Sequence, residues 1–180
     1  MSSVWGPPTW TLFHALAAKV REDNFARVKP QLISFIKMIC FNLPCPTCAN
    51  HAKSFLSKIR FDRINTPTLL QNFLHTFHNS VNKRKNKSEF ARDKLTVYEE
   101  INLVSAFNNF VAVFHTRGNM KMLAESFQRG QIVKHFKKWL AVNLRYFNAP
   151  AVVATEPVVE TASTNVEPVV ETASTNVEPV

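Results

Sequence analysis

TPTLLQNFLHTFHNSVN, residues 66–82, decides the fold. Leu70, Phe73, Leu74, Phe77, His78, Val81 and Asn82 recur three and four apart, the period of one face of an α-helix. Thr66-Pro67 supplies the start, since a proline ring fits where the first helical N–H has no partner anyway.

The same spacing recurs on both sides of this stretch. Pro7 and Pro8 open a first helix on which Trp10, Phe13, Ala17 and Val20 share a face, with His14 one turn after Trp10. Pro30 opens a second, carrying Leu32, Ile33, Phe35, Ile36 and Ile39 and ending near Phe41. Pro44 and Pro46 end that helix and start a third, with Cys48, Ala52, Phe55, Leu56 and Ile59 on one side. Downstream, Ser88 is the cap candidate for a helix through Ile101, and Leu103, Val104, Phe107, Phe110, Val111 and Phe114 trace another apolar stripe. His115-Thr116-Arg117-Gly118-Asn119 reads as a break before a last amphipathic segment, 120–147, with Leu123, Phe127, Ile132, Phe136, Trp139, Leu140 and Leu144. No stretch alternates with a period of two. The expectation is an all-α fold, a four-helix bundle with additional C-terminal helices.

Composition agrees. The 180 residues are enough for one domain with a real core, 46% are hydrophobic, and only 3 are glycine against 15 phenylalanines. From Ala149 the character changes: EPVVETASTNV occurs at 156–166 and again at 167–177. Such a Pro/Thr/Ser/Glu repeat without aromatics buries too little to offset chain entropy, so 149–180 is expected to be a disordered acidic tail. All 22 Lys and Arg precede it, and only 8 of the 13 acids do, which leaves the body with a formal charge of +14. A charge of that size attracts polyanions, whether nucleic acid, an acidic protein or the pyrophosphate of a nucleotide cofactor. The N-terminus lacks the charged and apolar regions of a signal peptide, and no apolar run approaches the ~20 residues of a membrane span. A soluble protein of the cytosol, without a membrane partner, is expected.

All 3 cysteines fall within nine residues, Cys40, Cys45 and Cys48. A secreted disulfide framework would spread an even number along the chain, so these look chemical. CPTC at 45–48 sets two thiols at the start of a helix, whose free amides and dipole favour a thiolate. The motif alone serves redox chemistry or metal. CPTCANH offers Cys45, Cys48 and His51 at zinc-site spacing, with Cys40 or His14 as a possible fourth ligand. A zinc-stabilised basic helical module that docks nucleic acid is therefore the alternative reading.

WGPPTWTLFH at 5–14, CPTC at 45–48 and HNSVN at 78–82 occur in the order of WGxxxWxxxH, CxxC and HNxVN, the signatures of the Erv/ALR sulfhydryl oxidases. The chain resembles that family over about residues 5–100, and LPCPTC and HNSVNKRKNK are especially similar to the short forms of large cytoplasmic DNA viruses. The resemblance implies an FAD-dependent thiol oxidase that forms disulfides in substrate proteins and reduces oxygen to hydrogen peroxide, with FAD at the bundle mouth. Cys45 and Cys48 are its catalytic pair, Cys48 being the one beside the flavin. Gly6, Trp10, His14, His78, Asn79, Val81, Asn82 and Lys87 match flavin-contacting positions, with Lys83 and Arg84 close by and no metal. Helical spacing is compatible with this, because Trp10 and His14 share one face and His78, Val81 and Asn82 another. The cations of 83–87 would offset pyrophosphate charge.

The implied partners are a dithiol protein, thioredoxin-like, molecular oxygen and a second copy in a homodimer; nucleic acid is not expected. The implied place is the host cytoplasm or virion. Three departures from the family stand out. No shuttle or structural cysteine pair accompanies CPTC, Leu43 stands where an aromatic is common, and residues 101–148 have no clear counterpart in the short family core. Cys40 follows Ile39 on an apolar face, as an inert core thiol would. The expected division is a sulfhydryl oxidase domain over 1–100, a packed helical segment over 101–148, and the tail.

Overall fold

The computed structural model describes residues 4–114 and 120–149. Its helices are α1 (Gly6–Lys19), α2 (Phe25–Phe41), α3 (Pro46–Leu56), α4 (Pro67–Arg84), α5 (Leu103–Phe114) and α6 (Met120–Asn143). Among the described residues there is no strand, only an isolated bridge between Val20 and Phe147. The fold is all-α. The break at 115–119 and the tail from 150 lie outside the described residues.

Proline placement explains three of the six helix starts. α1 and α3 have proline in the first turn, and α4 begins at Pro67 with the Thr66 hydroxyl accepting from the Leu69 N–H at 3.2 Å. Pro30 behaves differently from the sequence expectation: it lies inside α2, which starts a turn earlier at Phe25. Phe25 and Val28 are each 1% exposed, and burying both outweighs one missing backbone hydrogen bond. The expected helix over 88–101 is also revised, to a 3₁₀ segment over Arg92–Glu99. There the Phe90 N–H donates to Asn79 Oδ1 at 2.8 Å, a side-chain competitor for the backbone.

α1 runs through the middle, packed against α4, α5 and the 3₁₀ segment, while α2 packs on α3 and α6. One hydrophobic cluster joins them, from Leu12 and Leu16 of α1 through Ile36 of α2 and Leu74 of α4 to Phe110 of α5 and Phe136 of α6. Phe136 stacks on Phe35 at 4.6 Å between ring centres and meets Phe107 edge-on at 5.3 Å, so α6 is bound to α2 and α5 alike. Lys19, only 1% exposed at the end of α1, directs its ammonium to the Glu99 carbonyl at 2.6 Å. That bond satisfies a charge whose burial would otherwise be costly, and it anchors the 3₁₀ segment to α1.

Candidate active site

α3 starts at the sulfur pair. Cys45 is its N-cap, extended at φ −112° and ψ 109°, and its sulfur accepts from the Cys48 N–H at 3.3 Å. Cys45 and Cys48 are joined as a disulfide with Cα atoms 5.2 Å apart. Bonded sulfur has no proton to give, so the Thr47 hydroxyl, 3.2 Å from Cys45 Sγ, is the donor there. Both donors, and the free amides of the first helical turn, favour negative charge on sulfur once the bond opens. Cys40 is different. It is 2% exposed, and burial pushes its thiol far above the ordinary range, which leaves it neutral.

Two adjoining cavities flank α1 and α4. The first, about 210 Å³, is walled by Trp5, Gly6, Trp10, Phe77 and Val81 and reaches Cys48, His51 and Arg84. The second, about 200 Å³, is bordered by His78, Asn82, Lys87 and Tyr98. Gly6, Trp10, Val81 and Lys85 line both, so they form one groove: its sulfur end is walled mostly by apolar side chains with Arg84 beside them, and its other end is polar and bears Lys87. Cys48 faces into this groove, and Cys45 is not part of its lining.

Aromatic rings build the wall between the helices. Trp10 lies on His78 at 4.3 Å and 11° between planes, and His78 on Phe90 at 4.9 Å and 22°. His14 stacks on Tyr98 at 4.8 Å, and its Nε2 is 3.1 Å from His78 Nδ1. His14 Nδ1 is buried with no hydrogen-bond partner. Burial holds the pKa of His14 down to about 3, with the charges of His78 and His75 acting in the same direction. Burial likewise lowers His78 to about 4, aided by His75 and Lys87.

Both imidazoles are neutral in the folded protein, whereas in the unfolded chain they take up protons below their ordinary value of 6.5. Their contribution is therefore intact above pH 6.5 and is lost as pH falls towards 4 and 3. The thermal midpoint is expected to fall steadily between pH 6.5 and 5, above the carboxylate range, in a differential-scanning series. A midpoint that stays level across that window would contradict the assignment.

The expected site residues separate into groups. Gly6, Trp10, His78, Val81, Asn82, Lys87 and Cys48 border the groove, and His14 stands behind it in the ring stack. Asn79 lines neither cavity. Its amide holds Phe90 instead, accepting from the Phe90 N–H at 2.8 Å and donating to the Phe90 carbonyl at 3.1 Å. Lys83 is exposed and borders neither cavity. Sequence reasoning missed Tyr98, and it took Arg84 and Lys85 only as members of the basic run expected to offset pyrophosphate charge. Arg84 Nη1 donates to the Thr47 carbonyl at 3.0 Å, inside the CPTC turn. No motif marks these three; the run of charge at 83–87 was the one available signal.

A model of the Erv1 / Alr family matches residues 7–102, more than half of the chain. The chain belongs to the Erv1/Alr family. Its match covers α1 to α4 and the 3₁₀ segment, and α5 and α6 lie beyond it. Among individual relatives, the 347L protein of Invertebrate iridescent virus 6 is 31% identical over 90 residues, 47% of this chain and 81% of that protein. The FAD-linked sulfhydryl oxidase of an African swine fever virus isolate from Malawi is 35% identical over 83 residues, 46% of this chain and 69% of that one. A second isolate of that virus, from Namibia, carries a protein of the same name at 34% identity over 83 residues, again 46% and 69%. No solved structure matches the chain. Within the described residues of this family member, no helix is long and apolar enough to cross a membrane, and no group of three or more His, Cys, Asp or Glu is placed to hold a metal ion.

Proposed function

We propose that this Erv1/Alr chain is an FAD-dependent thiol oxidase that makes disulfides in other proteins and passes the electrons to oxygen, giving hydrogen peroxide. The observation that carries the reading is the position of the sulfur pair across the wall of an aromatic groove, with Cys48 inside and Cys45 outside. Family membership and the viral relatives named FAD-linked sulfhydryl oxidases support the same activity. The zinc-stabilised nucleic-acid alternative gains no support from either source.

The residues present suit FAD. A flat apolar slot beside sulfur, continuous with a polar end bearing Lys85 and Lys87, matches a ring system followed by a pyrophosphate. Gly6, Trp10, Val81 and Phe77 would hold the ring, and His78, Asn82, Lys85 and Lys87 the polar remainder; Asn82 supplies both a donor and an acceptor. FAD, when bound, accepts an electron pair from the reduced cysteines and delivers it to dioxygen.

The protein's own steps are thiol exchanges. A substrate thiolate attacks Cys45 Sγ, the Cys45–Cys48 bond breaks, and its electron pair remains on Cys48 Sγ. A second substrate thiolate attacks the mixed disulfide, releasing the oxidised substrate and leaving Cys45 reduced. The Cys45–Cys48 disulfide then reforms as the electron pair leaves through Cys48. With Cys40 buried and neutral and no fourth cysteine, substrate reaches Cys45 directly, which suits a small thioredoxin-like dithiol protein. We place the catalytic unit in residues 1–100, with 101–148 as a segment packed on it, working as a homodimer in host cytoplasm or virion.

The purified chain is expected to be yellow, with flavin absorbance near stoichiometric, and to consume oxygen when given a dithiol. A colourless, oxygen-inert preparation that stays so after incubation with FAD would end this reading.

A further inference from the structure

Arg84 is the last residue of α4, and α4 belongs to the groove's ring-binding wall. Its guanidinium nonetheless reaches across to α3. Arg84 Nη1 donates to the Thr47 carbonyl at 3.0 Å, and Thr47 sits between the two cysteines of the redox pair. The Thr47 hydroxyl is in turn 3.2 Å from Cys45 Sγ, and Arg84 borders the same cavity as Cys48 and His51. A side chain that was only a phosphate-facing cation would have no reason to bridge into the CPTC turn.

We infer that Arg84 is a positioning residue for the sulfur pair: it ties the CPTC turn to the flavin-side helix and keeps a fixed positive charge at the Cys48 end of the groove. The inference rests on the thiol-oxidase reading for its consequence, though its geometry stands alone. Attack on Cys45 breaks the Cys45–Cys48 bond and leaves the electron pair on Cys48 as a thiolate. A cation held on the wall of the same cavity as that sulfur favours its departure and its anionic form. The hydrogen bond to Thr47 also fixes the turn against α4, so Cys48 keeps its aim into the groove when the covalent link to Cys45 is gone.

The surroundings are consistent with a cationic end. The ionisable groups lining this cavity are Cys40 from α2, Cys48 and His51 from α3, Arg84 from the end of α4 and Lys85 just after it; α1 and its N-cap contribute only Trp5, Gly6, Thr9, Trp10 and Phe13. His51 has its pKa lowered by burial and then by the charge of Arg84, so the guanidinium's field extends one helical turn past Cys48. Lys85 is lowered too, by burial and by its neighbours Lys87 and Arg84. No carboxylate lines the cavity to cancel the charge.

The test reads the thiol itself. In the full chain carrying Cys45→Ser, the rate of iodoacetamide labelling at Cys48 is followed from pH 5 to 10, with mass spectrometry assigning the labelled cysteine. Adding Arg84→Met is expected to raise the apparent pKa of Cys48 by about one unit and to slow labelling at pH 7 about tenfold. Arg84→Lys, which restores the charge, is expected to bring the rate back to within about threefold of the Arg84 protein. A purely structural role would leave the pH profile where it was, and an unshifted profile in Arg84→Met would overturn the inference. Labelling does not need oxygen turnover, so it separates failure of this inference from failure of the oxidase reading.

Discussion

Cys48→Ser is expected to lower oxygen consumption with a dithiol by about a thousandfold or more while the purified protein stays yellow. The size follows from the absence of a bypass. Cys40 is the one other thiol besides Cys45, and burial keeps it neutral and inaccessible to an external disulfide. Without Cys48 there is no Cys45–Cys48 bond for a substrate thiolate to open, and serine cannot carry the electron pair, so the exchange does not begin. Flavin retention should be untouched, because Cys48 is a single point on a wall built by Trp10, Phe77 and Val81. The variant is checked with an oxygen electrode beside a visible spectrum; residual turnover above about a tenth would mean electrons reach the ring by another path.

Removing a ring from the wall should have the opposite signature. Trp10 and His78 lie face to face at 4.3 Å, one on α1 and one on α4, and together they close the groove between those helices. His78→Ala and Trp10→Ala are each expected to weaken FAD binding by roughly 30- to 100-fold, about 2 to 3 kcal/mol for a buried aromatic contact. Trp10→Phe should keep much of it. Flavin release measured by ultrafiltration distinguishes these variants from Cys48→Ser, which stays loaded. Trp10 also packs edge-on against Phe13 and Phe77, so its alanine variant needs a melting curve alongside to separate lost ligand from lost core. Binding within about twofold of the parent protein in His78→Ala would remove His78 from the site.

How much of this was legible in sequence depended on range. Helix starts at Pro7, Pro46 and Pro67 were legible because proline acts on its own first turn, and so was the stripe of α5. Pro30 misled for the same reason in reverse: locally it favours a beginning, but burial of Phe25 and Val28, set by packing elsewhere, extends the helix before it. Over 88–101 the pattern was read as helical, whereas Asn79, eleven residues upstream, holds the Phe90 backbone. Among site residues, Trp10, His78, Val81 and Asn82 could be paired because each set sits within one turn of a single helix. Arg84 and Tyr98 could not, since the partners that define them, Thr47 and His14, lie 37 and 84 positions away in the chain.

The strap from Phe90 to Glu99 is pinned twice, by Asn79 at one end and by the Lys19 ammonium at the other, with Tyr98 pressed on His14 between the pins. A segment fastened at both ends does not swing like a door. Its side of the groove is thus a shelf held in place from both ends, and a ligand resting against it would meet a wall already formed.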